Sequence, residues 1–282
     1  MNQAIIDLYD EYTHKPLTRE VFLKRLSALT GSMTAALTLL PALESNWAVA
    51  QTTGADLFTE YVTYPAGNAT MKAYVARPQA AKPYAAVLVI HENRGLNAHI
   101  EDVARRVAQA GYLAIAPNAL SVLPTTPANE DEARALFAQL KPEESIRHFA
   151  KAVEYVRTRP DANGTVGCVG FCWGGAMANS LAVNVPTLKA AVAFYGRQPA
   201  LTDVPRINAA VQLHYASLDE RVNAGMAEYE AALKANGKPY ELYVYEGVNH
   251  AFHNDTSAAR YNEAAAKLAW QRTVAFFGKY LG

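Results

Sequence analysis

From Leu57 onward, apolar and polar positions follow a strand period and then a helix period in regular turn. Residues 58–65 and 71–78 alternate with period two on either side of Ala66-Gly67-Asn68, which predicts an antiparallel hairpin. Ala85 to His91 is an unbroken apolar run, the pattern of a strand buried on both faces. A helical period follows over about 99–110 and stops at Gly111, ahead of a strand at 112–117. Residues 118–129 hold prolines and no period, so they are expected to form a lid or pocket wall. Helices are predicted over 130–139 and 143–158, then a strand at 165–169 and a helix from Gly174. Strands at 188–195, 210–215 and 241–245 follow, with a helix over 222–236 between the last two and a closing helix over 257–280. Strands alternating with helices at this spacing predict an α/β fold, a mostly parallel, doubly wound sheet behind an antiparallel entry hairpin.

Residues 1–56 stand apart from this rhythm, and the α/β domain is expected to span 57–282. Thr18-Arg19-x-x-Phe22-Leu23-Lys24, an apolar stretch after it, and Ala48-Val49-Ala50 are arranged like a twin-arginine export signal with cleavage before Gln51. However, Glu20 occupies the place of the second arginine, and Asp7, Asp10 and Glu11 lie in what would be the charged lead-in. The competing expectation is a pair of amphipathic helices packing on the domain or on a second subunit of a homodimer. That reading is preferred, with a cytoplasmic protein; periplasmic export is its alternative.

Composition narrows the function. With 51% hydrophobic and 18% charged residues among 282, the chain can bury a large core. Lys plus Arg and Asp plus Glu balance at 26 each, which removes any whole-chain argument for nucleic acid or an anionic membrane surface. Two cysteines exclude a disulfide framework and a four-cysteine zinc site. No stretch reaches the roughly 18 apolar residues of a membrane span. Neither a metal nor a cofactor is expected.

The chemistry centres on Gly170-Phe171-Cys172-Trp173-Gly174-Gly175, which follows a predicted strand and opens a predicted helix. Strand, glycine-flanked residue and helix are the layout of a nucleophile elbow with Cys172 in the central place. The turn strains its central residue, and a Cβ two positions either side collides with the neighbouring strand or helix. Cys172 then sits at a helix N-terminus, where the macrodipole favours a thiolate. An elbow nucleophile needs an acid and a histidine later in the chain. Asp219 follows the strand ending at Tyr215, and His250 follows the strand ending at Tyr245, both at the carboxyl edge of the sheet. Glu220 and His253 are their nearest rivals.

With these residues in place the chain resembles the dienelactone hydrolase family of α/β-hydrolases over about 57–282. The resemblance rests on the Cys172 elbow, Asp219, His250-x-Phe252, and Glu92 after the strand 85–91. It implies an α/β-hydrolase fold and a Cys172, Asp219, His250 triad that cleaves esters or lactones through a thioacyl-enzyme. It further implies an oxyanion hole from the backbone N–H groups of Asn93 and Trp173, and a Glu92 carboxylate that contacts the cysteine and restrains the resting thiol. The arginines with which the family binds a substrate carboxylate have no counterpart: residues 117–123 contain none, and position 254 is asparagine. Arg94 and Arg197, at the same sheet edge, are candidates for a different anion clamp or for structural ion pairs, and His253 is a further candidate substrate contact. Two readings compete with hydrolysis. One is thiol redox chemistry through Cys168 and Cys172; the other is an idle α/β-hydrolase fold used as an interaction module.

Overall fold

The computed structural model describes residues 1–44, 56–80, 82–125, 127 and 129–282, so Ala48-Val49-Ala50 and Gln51 lie outside the described residues. Three helices come first, α1 (Gln3–His14), α2 (Arg19–Thr30) and α3 (Met33–Leu43), where the pattern had predicted a pair. Each starts at a side chain that accepts an orphan backbone N–H: Asn2 from Ala4, Thr18 from Val21 and Ser32 from Ala35. Gly31, at φ 83°, makes the reversal between α2 and α3. The apolar faces of the three helices close on one another. Tyr12 stacks on Phe22 at 4.2 Å, with Tyr9, Leu26, Leu40 and Leu43 around them. The residues that look like an export signal take part in this packing. Thr18 caps α2, Phe22 is fully buried, and Arg19 pairs with Glu44 at 3.2 Å and with Asp131 of the domain.

Behind this arm lies one eight-stranded sheet. β1 (Leu57–Ala66) and β2 (Ala69–Pro78) form the entry hairpin, paired from Leu57 with Pro78 to Ala66 with Ala69. Next come β3 (Tyr84–Ile90), α4 (Ala98–Gln109), β4 (Leu113–Asn118), α5 (Glu130–Phe137), α6 (Pro142–Arg157), β5 (Ala162–Phe171) and α7 (Trp173–Asn184). β6 (Ala190–Phe194), β7 (Ala210–Ala216), α8 (Glu220–Asn223), α9 (Met226–Ala235), β8 (Tyr240–Tyr245) and α10 (Glu263–Leu281) complete the fold. The strand order is β1-β2-β4-β3-β5-β6-β7-β8, antiparallel up to the β2–β4 pair and parallel beyond it.

The unbroken apolar run of β3 is explained by its two covered faces. Ala86, Leu88 and Ile90 join a core with Phe149 and Val153 of α6 and Leu181 of α7, while Ala85, Val87 and Val89 join a second core with Val103 of α4 and Phe277 of α10. The four helices thus cover both faces, as the doubly wound reading predicts, and each large apolar side chain so buried contributes on the order of 2 kcal/mol.

Three predicted elements change at their ends or in their role. The closing helix begins at Glu263 rather than 257, because residues 257–261 turn back to meet the arm. The Ala259 N–H donates to Ala42 O at 3.2 Å and Ser257 Oγ to Leu43 O at 3.4 Å, and Asn262 then caps α10. The helix predicted over 222–236 divides into α8 and α9 at Ala224-Gly225. The expected lid, 118–129, opens as a short 3-10 turn at Ala119–Val122; the wall beside Cys172 comes from α5 instead.

Candidate active site

Cys172 joins β5 to α7 with φ 55° and ψ −112°, and its N–H is held by Phe194 O at 3.0 Å. Two close approaches make that turn possible. A Cβ on Gly170 would stand 1.8 Å from Gly174 O at the head of α7, and one on Gly174 would stand 2.2 Å from Ile90 O of β3. Only glycine lets the helix start this tightly against the sheet. Among the described residues, positive φ outside glycine occurs at Cys172, Tyr195 (38°) and Ala251 (64°). All three surround one point at the carboxyl edge of the sheet, the clustering expected where local strain is held for function.

Asp219 leaves β7 as the cap of α8, its Oδ1 accepting from the Val222 N–H at 3.2 Å. Its Oδ2 accepts from His250 Nδ1 at 2.5 Å, with both side chains buried. That bond sets the tautomer and leaves His250 Nε2 as the free end, buried and without a hydrogen-bond partner. Glu220, the rival acid, lies on the exposed side of α8. His253, the rival base, stacks on Phe171 at 5.0 Å beside Trp270 and lines neither cavity that touches Cys172. Burial keeps its pKa well below the ordinary imidazole value.

The arm supplies what sequence reasoning missed. His14, the last residue of α1, places Nε2 3.2 Å from Cys172 Sγ. Its Nδ1 lies 2.9 Å from the Asp10 carbonyl oxygen and 3.1 Å from the Asp10 carboxylate. Asp10 in turn stands 3.5 Å from Arg221. The i,i+4 spacing of Asp10 and His14 shows in the sequence that the pair shares one helix face. Nothing there ties that face to a cysteine 158 positions away.

Electrostatics at this point favour a thiolate. Burial alone would raise the Cys172 pKa, but the His14 and His250 imidazoles outweigh it and bring the thiol down to about 6. The histidines respond in the opposite sense. Burial opposes their charge, yet Cys172 and Asp10 leave His14 raised, and Asp219 and Cys172 leave His250 well above the usual value. Asp219 is lowered because His250 overcomes its burial. Cys168 has no such neighbours, and burial pushes its thiol well up. The two cysteines also belong to the cores on opposite faces of the sheet, so they are not placed to form a redox pair.

His14, Cys172 and His250 are also the donors that, among the described residues, stand close enough to share a cation, all within 4.8 Å. A tetrahedral site with ordinary Zn–N and Zn–S lengths would separate nitrogen from sulfur by about 3.6 Å. The observed 3.2 Å between His14 Nε2 and Cys172 Sγ is a hydrogen-bond distance.

Glu92 is placed differently from the expectation. Its Oε2 accepts from Asn254 Nδ2 at 2.9 Å and its Oε1 from Tyr195 OH at 3.5 Å; no hydrogen bond joins it to Cys172. Asn254, the position without the family's arginine, thus holds the carboxylate back, and His14 occupies the thiol's side. The Asn93 side chain donates to Thr13 O at 2.9 Å, tying its loop to the arm, and the Trp173 N–H is the first of α7, with no intrahelical acceptor. Arg94 is buried, donates to Asn93 Oδ1 at 2.7 Å and lies 3.8 Å from Glu130, which is the ion-pair role. Arg197 is exposed at the wall of the cavity.

That cavity, about 640 Å³, opens on Cys172 and His250. One side is domain surface, with Trp173 and Phe137; the other is the arm, from Thr13 to Leu17. The wall is fastened across the gap. Tyr12 OH donates to Asp131 at 2.5 Å, and the Arg134 guanidinium lies 3.7 Å from the centre of the Tyr12 ring while donating to the Tyr12 carbonyl.

A mostly parallel eight-stranded sheet covered on both faces, with a strand-to-helix elbow at its carboxyl edge, is the architecture of an α/β-hydrolase. The dienelactone hydrolase family model matches residues 71–281. A protein of Saccharolobus solfataricus named "Putative carboxymethylenebutenolidase" is 31% identical over 253 residues, covering 76% of this chain and 96% of its own. One of the same name from Synechocystis is 32% identical over 240 residues, covering 79% and 97%. A solved Klebsiella pneumoniae structure described as a "Putative Dienelactone Hydrolase" superposes with a TM-score of 0.72 at 29% identity, over 79% of this chain and 99% of that one. The chain belongs to the dienelactone hydrolase family, and it is an enzyme of the ester and lactone hydrolase class. The arm helices α1–α3 lie outside the residues the family model matches.

Proposed function

We propose that this protein hydrolyses small carboxylic esters or lactones, with Cys172 as nucleophile, His250 as proton carrier and Asp219 as the acid that orients it. The observation that carries the reading is the 2.5 Å Asp219–His250 bond, which leaves His250 Nε2 free beside a cysteine held at φ 55°. Cys172 sulfur adds to the acyl carbon, the tetrahedral oxyanion is held by the N–H groups of Asn93 and Trp173, and the leaving oxygen takes a proton from His250. Water then gives a proton to His250, adds to the thioester, and expels the sulfur. Each oxyanion donor is worth on the order of 3 kcal/mol of barrier.

The domain reading that goes with this is an α/β-hydrolase domain over 57–282 carrying an arm over 1–56 that stays on the mature protein, which favours a cytoplasmic location over periplasmic export. The arm forms one wall of the cavity, so a chain cut before Gln51 would lose that wall. The cavity has apolar aromatic walls and Arg197 at its rim, so acyl groups with an apolar body and a polar or anionic end are the favoured substrates. A panel of aryl esters and lactones, run with the purified full chain and its Cys172→Ala variant, tests the activity. Turnover that survives in Cys172→Ala overturns it. Intact mass and cell fractionation of the native protein test the arm, and a periplasmic protein beginning at Gln51 defeats that part.

A further inference from the structure

We propose that Asp10 and His14 of the arm form a second carboxylate–histidine dyad at the active site, with His14 as the imidazolium that holds Cys172 as a thiolate. The inference rests on Cys172 being the nucleophile and goes beyond the triad, which assigns all proton handling to His250. Two imidazoles approach one sulfur from opposite elements. His250 comes from the loop after β8 and is fixed through Nδ1 by the Asp219 carboxylate; His14 comes from the end of α1, with Nδ1 2.9 Å from the Asp10 carbonyl oxygen and 3.1 Å from the Asp10 carboxylate, which faces it as an ion pair. Each therefore turns Nε2 inward; His14, at 3.2 Å, lies at hydrogen-bond distance from Sγ, and its charge weighs ahead of that of His250 in lowering the thiol. The second dyad is braced like the first. Asp10 faces Arg221, and the end of α1 is tied to the domain through Thr13 O to Asn93 and through Tyr12 to Asp131.

This arrangement divides the labour. In the resting enzyme both imidazoles are protonated, one by the thiol proton and the other by a proton taken up from solvent, and the thiolate lies against protonated His14. When sulfur bonds to the acyl carbon and the carbon–oxygen bond breaks, the leaving alkoxide takes its proton from His250, and His14 keeps its own. In the second half, water gives a proton to His250, its hydroxide bonds to the acyl carbon, and the carbon–sulfur bond breaks. The sulfur leaves as a thiolate toward the same His14 imidazolium, and the carboxylic acid product releases the net proton to solvent. His14 touches the reacting sulfur and is catalytic; Asp10 is a positioning residue.

The charged groups that bear on this pair come from every side. They are His250 with Asp219, Arg221 against Asp10, Lys15, Asp131, Arg134 and Arg197 around the main cavity, and, across the small polar cleft behind Cys172, Glu92, Arg94, Glu130 and Arg260, with Tyr195 beside them. Glu92 is turned to Asn254, and Arg260 lies over the Tyr9 ring at 5.0 Å, whereas His14 lies at hydrogen-bond distance from the sulfur.

The test is alkylation of Cys172 by iodoacetamide across pH 4 to 9, read by intact mass in a Cys168→Ala background of the full chain. It needs no ester substrate. Since thiolate reactivity itself rises with pKa, the position of the inflection is the readout rather than the rate. In His14→Ala and in His14→Gln, which keeps the bulk of the side chain, the inflection moves up by about 1–2 pH units, as expected on losing an adjacent opposite charge. Asp10→Asn moves it the same way by less, and His250→Ala moves it less than either His14 variant while abolishing ester turnover. An unchanged inflection in folded His14→Gln, or a larger shift in His250→Ala, overturns the proposal. If the inflections move as stated but no ester or lactone is turned over, the hydrolase reading fails and the pairing stands. If turnover depends on Cys172 while the inflection ignores His14, the reverse holds.

Discussion

His14 and His250 meet edge to face beside Cys172, their ring centroids 4.7 Å apart and their planes at 79°. One ring belongs to the arm and the other to the hydrolase domain, so the arm borders the cysteine directly. The predictions follow from which side of this pair a residue serves.

Cys172→Ala is expected to abolish ester turnover, and Cys168→Ala to keep most of it. Cys168 is buried within β5, on the opposite core, with its thiol held protonated by burial. Steady-state rates on one aryl ester decide it. Equal loss in two folded variants would point to a role for both thiols.

Asp219→Asn is expected to lower kcat by on the order of 10⁴, the cost of presenting the wrong imidazole tautomer. Glu220→Gln, on the exposed side of α8, is expected to be near neutral. His250→Ala should be far more damaging to kcat than His253→Ala, whose ring lies in an aromatic cluster away from the cavity. A His253 variant as inactive as the His250 variant would relocate the base.

The pH profile has a definite sign. The Cys172 pKa is lowered to about 6, so the nucleophilic thiolate disappears as pH falls through 6 and is fully present above it. The His250 pKa is raised, so the proton needed by the leaving group is present at neutral pH and is lost only as pH rises past its raised value. kcat/KM measured from pH 4 to 10 should therefore rise through about 6, hold across neutrality and fall on the alkaline side. A flat profile below pH 6 contradicts the thiolate.

Gly170→Ala and Gly174→Ala should each destabilise the fold by more than the 1–3 kcal/mol usual for overpacking, because the added carbon meets backbone rather than a movable side chain. Thermal unfolding measures this. Gly278→Ala, where an added Cβ meets nothing within 4 Å, is the control and should leave the midpoint within a degree or two.

Phe22→Ala should loosen the arm without unfolding the domain, since Phe22 belongs to a core that is separate from the two on the sheet. A buried Phe→Ala change costs about 3–5 kcal/mol, felt locally. Hydrogen exchange should speed up across 3–43 while β3 and β5 stay protected, and turnover should drop as His14 leaves the sulfur. Uniform loss of protection would mean the arm and domain unfold together.

Most of the domain was legible from local pattern. β3 announced itself by an apolar run covered on both faces, and the Gly170-x-Cys172-x-Gly174 turn by a steric need that only glycine meets. Asp219 and His250 were found because each follows a strand whose carboxyl end had to lie at the same edge. Where reading stopped short, a distant contact had overridden a local preference. Residues 257–261 carry a helical pattern, yet they turn to pair with Ala42 and Leu43 of the arm. Glu92 was expected against the thiol; Asn254, 162 positions on, holds it elsewhere.

The order of chemistry along the chain, elbow, acid and histidine, is a property of the sequence by itself, because strand period and glycine sterics act within a few residues. The arm was undecidable at that level. Thr18-Arg19-x-x-Phe22 has the same composition whether it addresses an export system or caps a helix and fills a core. In this structure α1 and α2 dock on the domain through Tyr12 and Asp131, Arg19 and Asp131, and Thr13 and Asn93. The same docking brings His14 onto Cys172. Asp10 and His14 show one another across a helical turn in the sequence, but a sulfur 158 residues away can be reached only once sheet and arm are both folded.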